Sequence, residues 1–183
     1  MKKFNFTGVV ISRRNVGEAD KLITFYSLEM GKITLRAGGV RKITSKRAGS
    51  LELFNLVRAS GVSGRGQIFT LTEVQLLNSY SSWKGQLGRV NLAYQVSEAV
   101  ARLTPDSEPH PEVYTLLTGY LDSISSLGDD WQQQTSDFLL QLLVILGFWP
   151  EDKSYSGDIY ALVESVSNQK FNSSQVLRKI SKW

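Results

Sequence analysis

Six cations, Lys32, Arg36, Arg41, Lys42, Lys46 and Arg47, fall between Gly31 and Ser50 with no acidic residue among them. Cations at this density neutralise phosphates and release the counterions condensed on a nucleic-acid backbone, a chemistry that rewards charge density more than fixed geometry. The small neighbours Gly38, Gly39, Ser45 and Gly49 would let the run follow a polyanion. A charge run alone is also what a solvated face looks like, so its setting decides. Through Gln75 the chain holds thirteen Lys and Arg against five Asp and Glu, a balance of +8, and the remainder balances at −4. That asymmetry points to a polyanionic partner for the first half.

No comparable case exists for an enzyme. The single histidine, His110, stands between Pro109 and Pro111 and reads as a loop residue, since a catalytic base needs an orienting partner. Asp106, Glu108 and Glu112, like Asp129 and Asp130, read as acids near helix starts rather than as a metal site. The glycines of GVSGRG (Gly61, Gly64, Gly66) lack the Lys-Ser or Lys-Thr that would complete a phosphate-binding loop and read as a turn between strands. With no cysteine, disulfides, thiolate nucleophiles and Cys-ligated zinc are excluded. No cofactor, metal or small-molecule substrate is expected.

The elements that must carry the basic run change in kind along the chain. Thr7–Ser12, Leu22–Tyr26, Lys32–Arg36, Ser50–Arg58 and Gln67–Leu77 are rich in β-branched and aromatic residues and often alternate, as half-buried strands do. Five strands in under eighty residues predict a small closed barrel, an OB-fold in preference to an SH3-like one, with the basic segment Ala37–Gly49 between the third and fourth strands. Phe4, Phe6, Phe25, Tyr26, Phe54 and Phe69 could stack on bases, but at strand spacing each reads as core. From about Ser81 the period becomes helical: Trp83–Leu103, Glu112 to about Leu127, a very apolar helix from Asp129 or Asp130 through Ile145, then Asp158–Val166 and Asn172–Lys182. The expected fold class is therefore α+β, an N-terminal OB-fold β-barrel over residues 1–80 followed by an all-α helical bundle over 81–183. The apolar helix ending at Gly147 is expected at the centre of that bundle. The N-terminus does not read as a signal peptide, and the run Phe138–Trp149 is too short to span a membrane, so a cytoplasmic location is expected.

The run from Gly8 to Val57 resembles the opening of the RecO family of bacterial recombination mediators. It carries Gly17-Glu18-Ala19-Asp20-Lys21-Leu22 after the first strand, Gly31-Lys32 before the third, the basic stretch around Arg41, Lys42 and Lys46, and then Leu51 to Phe54. The likeness continues more loosely through Leu103-Thr104-Pro105, Glu108-Pro109, Pro111 and Leu146-Gly147-Phe148. The resemblance implies an OB domain followed by a helical bundle, and binding to single- and double-stranded DNA. It further implies annealing of complementary strands and partnership with RecR and with the single-stranded DNA-binding protein SSB in loading RecA, on the bacterial nucleoid. Many members carry a four-cysteine zinc module after the position of Pro150. This chain has no cysteine, and the region is shortened to Glu151 through Gly157. The chain is short for the family, so part of the helical surface used for DNA or partner contacts is expected to be missing.

On this reading Lys32, Arg36, Arg41, Lys42, Lys46 and Arg47, joined by Arg13 and Arg14, would neutralise phosphates. Lys21 with Glu18 or Asp20 would either join them or pair locally. The acidic, hydrophobic SSB tail would meet cations of the helical half, with Arg89, Arg102, Arg178 and Lys179 as candidates. Two other readings stay open, an RNA-binding OB module and a structural adaptor whose basic face holds an acidic protein tail.

Overall fold

The computed structural model of the chain describes residues 2–63, 69–128 and 130–170. Strands β1 (Lys3–Val16), β2 (Asp20–Ser27) and β3 (Gly31–Ala37) run as an antiparallel meander. Gly17 and Gly31 supply left-handed backbone at the two connections, at φ +58° and +65°. Strand β4 (Leu56–Ser63) pairs with the first half of β1, and β5 (Phe69–Asn78) pairs with β4. β5 then meets β3 in parallel through Leu35↔Phe69 and Arg36↔Thr70, so the ring of strands closes in the order β1-β2-β3-β5-β4.

The inner faces of these strands bury Phe6, Val10, Ile23, Phe25, Ile33, Leu35, Val57 and Leu71 in one core. Full burial of each large side chain contributes about 1.5–3 kcal/mol. Rings of Phe4 and Phe69, and of Phe6 and Phe25, meet edge to face at 5.0 and 5.1 Å.

These pairings correct the expected fold class. The expected OB-fold β-barrel is closed only at two parallel pairs between β3 and β5, whereas its other four junctions are antiparallel ladders. It is an antiparallel sheet rolled until its edges touch. The expected fourth strand, Ser50–Arg58, is also displaced. Gly49–Leu51 form a single 3-10 turn, Phe54 sits at φ +68°, and the strand starts at Leu56. The cause is Asn55, whose buried amide donates to the carbonyls of Gly49 (2.9 Å) and Ser50 (3.1 Å) and folds the segment back on itself. Leu51 and Phe54 stay buried, so their apolar pattern reports a buried turn rather than a strand. Gly61, expected in a turn, lies inside β4, where a Cβ would stand 2.6 Å from the Phe4 ring and 2.8 Å from Leu35.

One compact unit comprises Met1–Tyr80 and Pro105–Tyr114, and the other Ser81–Thr104 and Thr115–Trp183. The segment after Thr104 joins the strands because Asp106 bridges Lys32, Ser107 N–H donates to the Lys32 carbonyl at 2.8 Å, and the Glu108 carbonyl lies against Gly31.

The helices are α1 (Ser81–Lys84), α2 (Leu87–Leu103), α3 (Pro111–Ser123), α4 (Trp131–Ile145) and α5 (Ile159–Ser167). Asp158 caps α5 by accepting from Tyr160 N–H at 2.9 Å. The hub of the helical unit is α2, which packs on α1, α4 and α5; α4 packs on α2 and α5. The apolar α4, expected at the centre, also meets α3, where the Tyr120 and Thr135 hydroxyls share a hydrogen bond of 2.6 Å. The buried polar residues Asn91, Gln95 and Ser97 lower the apparent hydrophobicity of α2 and hide its position from the sequence. Gln95 accepts from the Tyr160 hydroxyl at 2.6 Å, and the Trp83 indole donates to the Leu121 carbonyl at 3.0 Å. The expected helix Asn172–Lys182 lies outside the described residues. No helix among the described residues is long and apolar enough to cross a membrane.

Candidate nucleic-acid interface

The basic segment after β3 is fastened to the end of the β1–β2 hairpin. The Asp20 carboxylate, at the start of β2, accepts from Gly39 N–H (2.8 Å) and from Arg36 Nε (2.7 Å). The Arg41 amide donates to the Ala19 carbonyl at 2.9 Å, and its guanidinium donates to the Gly17 carbonyl at 2.8 Å. At the other shoulder Arg47 donates to the carbonyls of Gly38 (2.7 Å) and Leu71 (3.3 Å), tying the loop to β5. Between the two shoulders Ser45 N–H returns to the Lys42 carbonyl at 2.9 Å and closes a four-residue turn.

These contacts sort the eight expected cations. Arg13 is paired with Glu52 at 2.6 Å, Lys32 with Asp106 at 3.2 Å, and Arg36 with Asp20 at 2.6 Å. Arg47 is half-buried and spends its donors on carbonyls. Arg14, Arg41, Lys42 and Lys46 are exposed and have no ion-pair partner among the described residues. Register places Arg14 opposite Leu22 and Leu22 opposite Arg36, so Arg14 and Arg36 share the outer face of the hairpin end onto which Gly39 and Arg41 are fastened. Lys21 has no carboxylate partner among the described residues, because Asp20 is taken by Arg36.

The candidates of the helical unit are differently placed. Arg89 donates to the Gln86 side chain (2.7 Å) and to the carbonyls of Ile124 and Leu127, tying α2 to the chain after α3. Arg102 pairs with Glu98 at 2.5 Å and donates to the Lys170 carbonyl. Arg178 and Lys179 lie outside the described residues. His110 faces Glu108 at 3.6 Å. Among the described residues no group of three His, Asp or Glu side chains could hold a metal ion.

Sequence reasoning gave Asp20 only as a local partner for Lys21 and passed over Ile43. Asp20 instead anchors the loop through Gly39 and Arg36. Ile43 stands at the tip of the loop, and its signal was a β-branched apolar residue among cations and small polar neighbours. The Gly39 amide, and then the Arg36 guanidinium, hold the Asp20 carboxyl below its ordinary value of 3.8. A carboxyl with a depressed folded value contributes stability that is present above its unfolded value and lost as pH falls through the folded one. The loop anchor is therefore expected to persist to below pH 3.8. In an NMR titration the Asp20 carboxyl and the Gly39 amide should share one midpoint below that value, and Asp20→Asn should remove it; separate midpoints would break the link.

Fold and site together define a class: strands then helices in one chain, with unpaired cations gathered on an anchored loop and hairpin end of the strand unit. Two family models match in that order, recombination protein O N terminal over residues 1–80 and recombination protein O C terminal over residues 85–154. The chain belongs to the recombination protein O (RecO) family. It is 31% identical over 150 residues to the DNA repair protein RecO of Pelotomaculum thermopropionicum, covering 82% of this chain and 57% of that protein. The DNA repair protein RecO of Symbiobacterium thermophilum is 33% identical over 150 residues, with 82% and 59% covered. That of Myxococcus xanthus is 32% identical over 126 residues, with 69% and 52% covered. The chain thus spans between half and three-fifths of the length of these relatives.

Proposed function

We propose that this chain is a non-catalytic DNA-binding mediator of repair and recombination. It grips the phosphates of single- and double-stranded DNA and anneals complementary strands. With RecR it helps load RecA onto SSB-coated DNA at the nucleoid, in the cytoplasm. The observation that carries this is the anchored loop, where Arg41, Lys42 and Lys46, with Arg14 on the neighbouring hairpin, have no carboxylate partner among the described residues. Annealing asks for nothing more than this chemistry: cations that offset the repulsion of two phosphate backbones let complementary bases approach. The acidic SSB tail would dock on the helical unit, although Arg89 and Arg102 already spend donors on backbone carbonyls there.

The test is an annealing assay with two complementary labelled oligonucleotides, free and SSB-coated, in the presence and absence of magnesium. The chain is expected to accelerate annealing at least tenfold without shortening either strand. No acceleration, or magnesium-dependent loss of label, would overturn the reading. Equal or tighter binding to RNA of matched sequence would move the assignment to an RNA-binding protein.

A further inference from the structure

Ile43 is the most exposed large apolar side chain of the described residues, at 105% of its reference area, whereas Leu28, Leu76 and Leu77 of the same unit reach 39–42%. Single exposed apolar residues are common on soluble proteins. Three features set this one apart. It is the second residue of the Lys42–Ser45 turn, a place where Pro is favoured and turn residues are mostly small or polar. Both shoulders of its loop are fastened, by Asp20 to Gly39, by Arg41 to Gly17 and by Arg47 to Gly38 and Leu71, so the tip is presented from a braced base. Finally, the charges flanking it in the chain, Arg41, Lys42, Lys46 and Arg47, are all positive.

An apolar tip with the exposed cations Arg41, Lys42 and Lys46 beside it in the chain fits a ligand that sets apolar faces between regularly spaced anions. A nucleic-acid strand is such a ligand, with bases between phosphates. The six aromatic residues of the strands and their turns are not available for this contact: Phe6, Phe25, Tyr26 and Phe54 are buried, and Phe4 and Phe69 pack against the core. We propose that Ile43 is a wedge that inserts between neighbouring bases of a bound single strand and unstacks one step while the surrounding cations hold the flanking phosphates. An unstacked step leaves base edges open to an incoming complementary strand. The inference rests on the DNA-binding reading and names the residue that touches bases.

The experiment uses the full chain and a single-stranded oligonucleotide carrying 2-aminopurine, whose fluorescence rises on unstacking, titrated at several salt concentrations. The wild type is expected to raise the fluorescence. Ile43→Ser should bind about tenfold more weakly, with no rise and an unaltered salt slope, because the phosphate contacts remain. Ile43→Phe should restore both affinity and signal. The side chain is fully exposed, so neither variant should disturb folding. If Ile43→Ser matches the wild type in affinity and signal while salt dependence stays steep, the wedge is overturned and the DNA grip survives. Absence of wild-type DNA binding would overturn both. Weakened binding of Ile43→Ser to phosphatidylglycerol vesicles, with DNA binding unchanged, would overturn the wedge in favour of a lipid contact.

Discussion

Replacing Arg14, Arg41, Lys42 and Lys46 together by alanine is expected to weaken single-stranded DNA binding by two to three orders of magnitude at about 0.1 M salt, and to make the salt slope shallower by about 3. Each phosphate contact on a single strand contributes about 0.7 to that slope, and these four cations have no carboxylate partner among the described residues. The carbonyl of Gly17 that receives Arg41 orients it without cancelling its charge. A control variant with Arg13 and Lys32 replaced removes as much charge per cation, yet each already faces a carboxylate, Glu52 or Asp106. Its slope should change by less than about 1. Fluorescence anisotropy at four or five salt concentrations reads both numbers. Equal loss in the two variants would mean that net charge alone governs binding and that the loop is not the grip.

Gly31→Ala is expected to destabilise the strand unit by about 3 kcal/mol. A left-handed backbone costs a non-glycine residue about 1–2 kcal/mol, and forcing atoms into an occupied space adds about 1–3. Gly31 meets both penalties: φ is +65°, and a Cβ would stand 2.0 Å from the Glu108 carbonyl oxygen. That oxygen belongs to the segment held against β3 by Ser107 and Asp106. Gly17→Ala supplies the comparison, since Gly17 has φ +58° and nothing within 4 Å of a Cβ. It should lose only about 1–2 kcal/mol. Urea unfolding of the full chain, followed by amide exchange at Lys32, separates the two. Equal losses would show that the 105–110 segment yields without cost.

The cations of the candidate interface were all legible in the sequence, and so was the change from strands to helices near residue 80. What was not legible was which cations stay available. Arg36 is neutralised by Asp20 and Lys32 by Asp106, acids that the fold rather than the sequence brings near. Arg47 reads as one more cation of the run and proves to be a fastener, because its partners are backbone carbonyls with no residue signature. The misplaced fourth strand has a similar origin. Alternating Leu51 and Leu53 look like a pleat, but the buried Asn55 amide satisfies two carbonyls and makes a turn the better solution. The fastened segment after Thr104 left no periodic trace, since it is held by backbone contacts to β3.

The two-sided pairing of β1 also bears on the order in which the chain can fold. Its second half finds β2 close by, with Val16 opposite Asp20, but its first half waits for β4, with Lys3 opposite Val62. On a ribosome the first half of β1 is therefore made long before its partner, and it must remain an unpaired edge until β4 emerges. Distant pairing of this kind slows folding relative to local helices. Lys2 and Lys3 at the head of that waiting strand keep its edge charged, which discourages pairing with another chain in the interval.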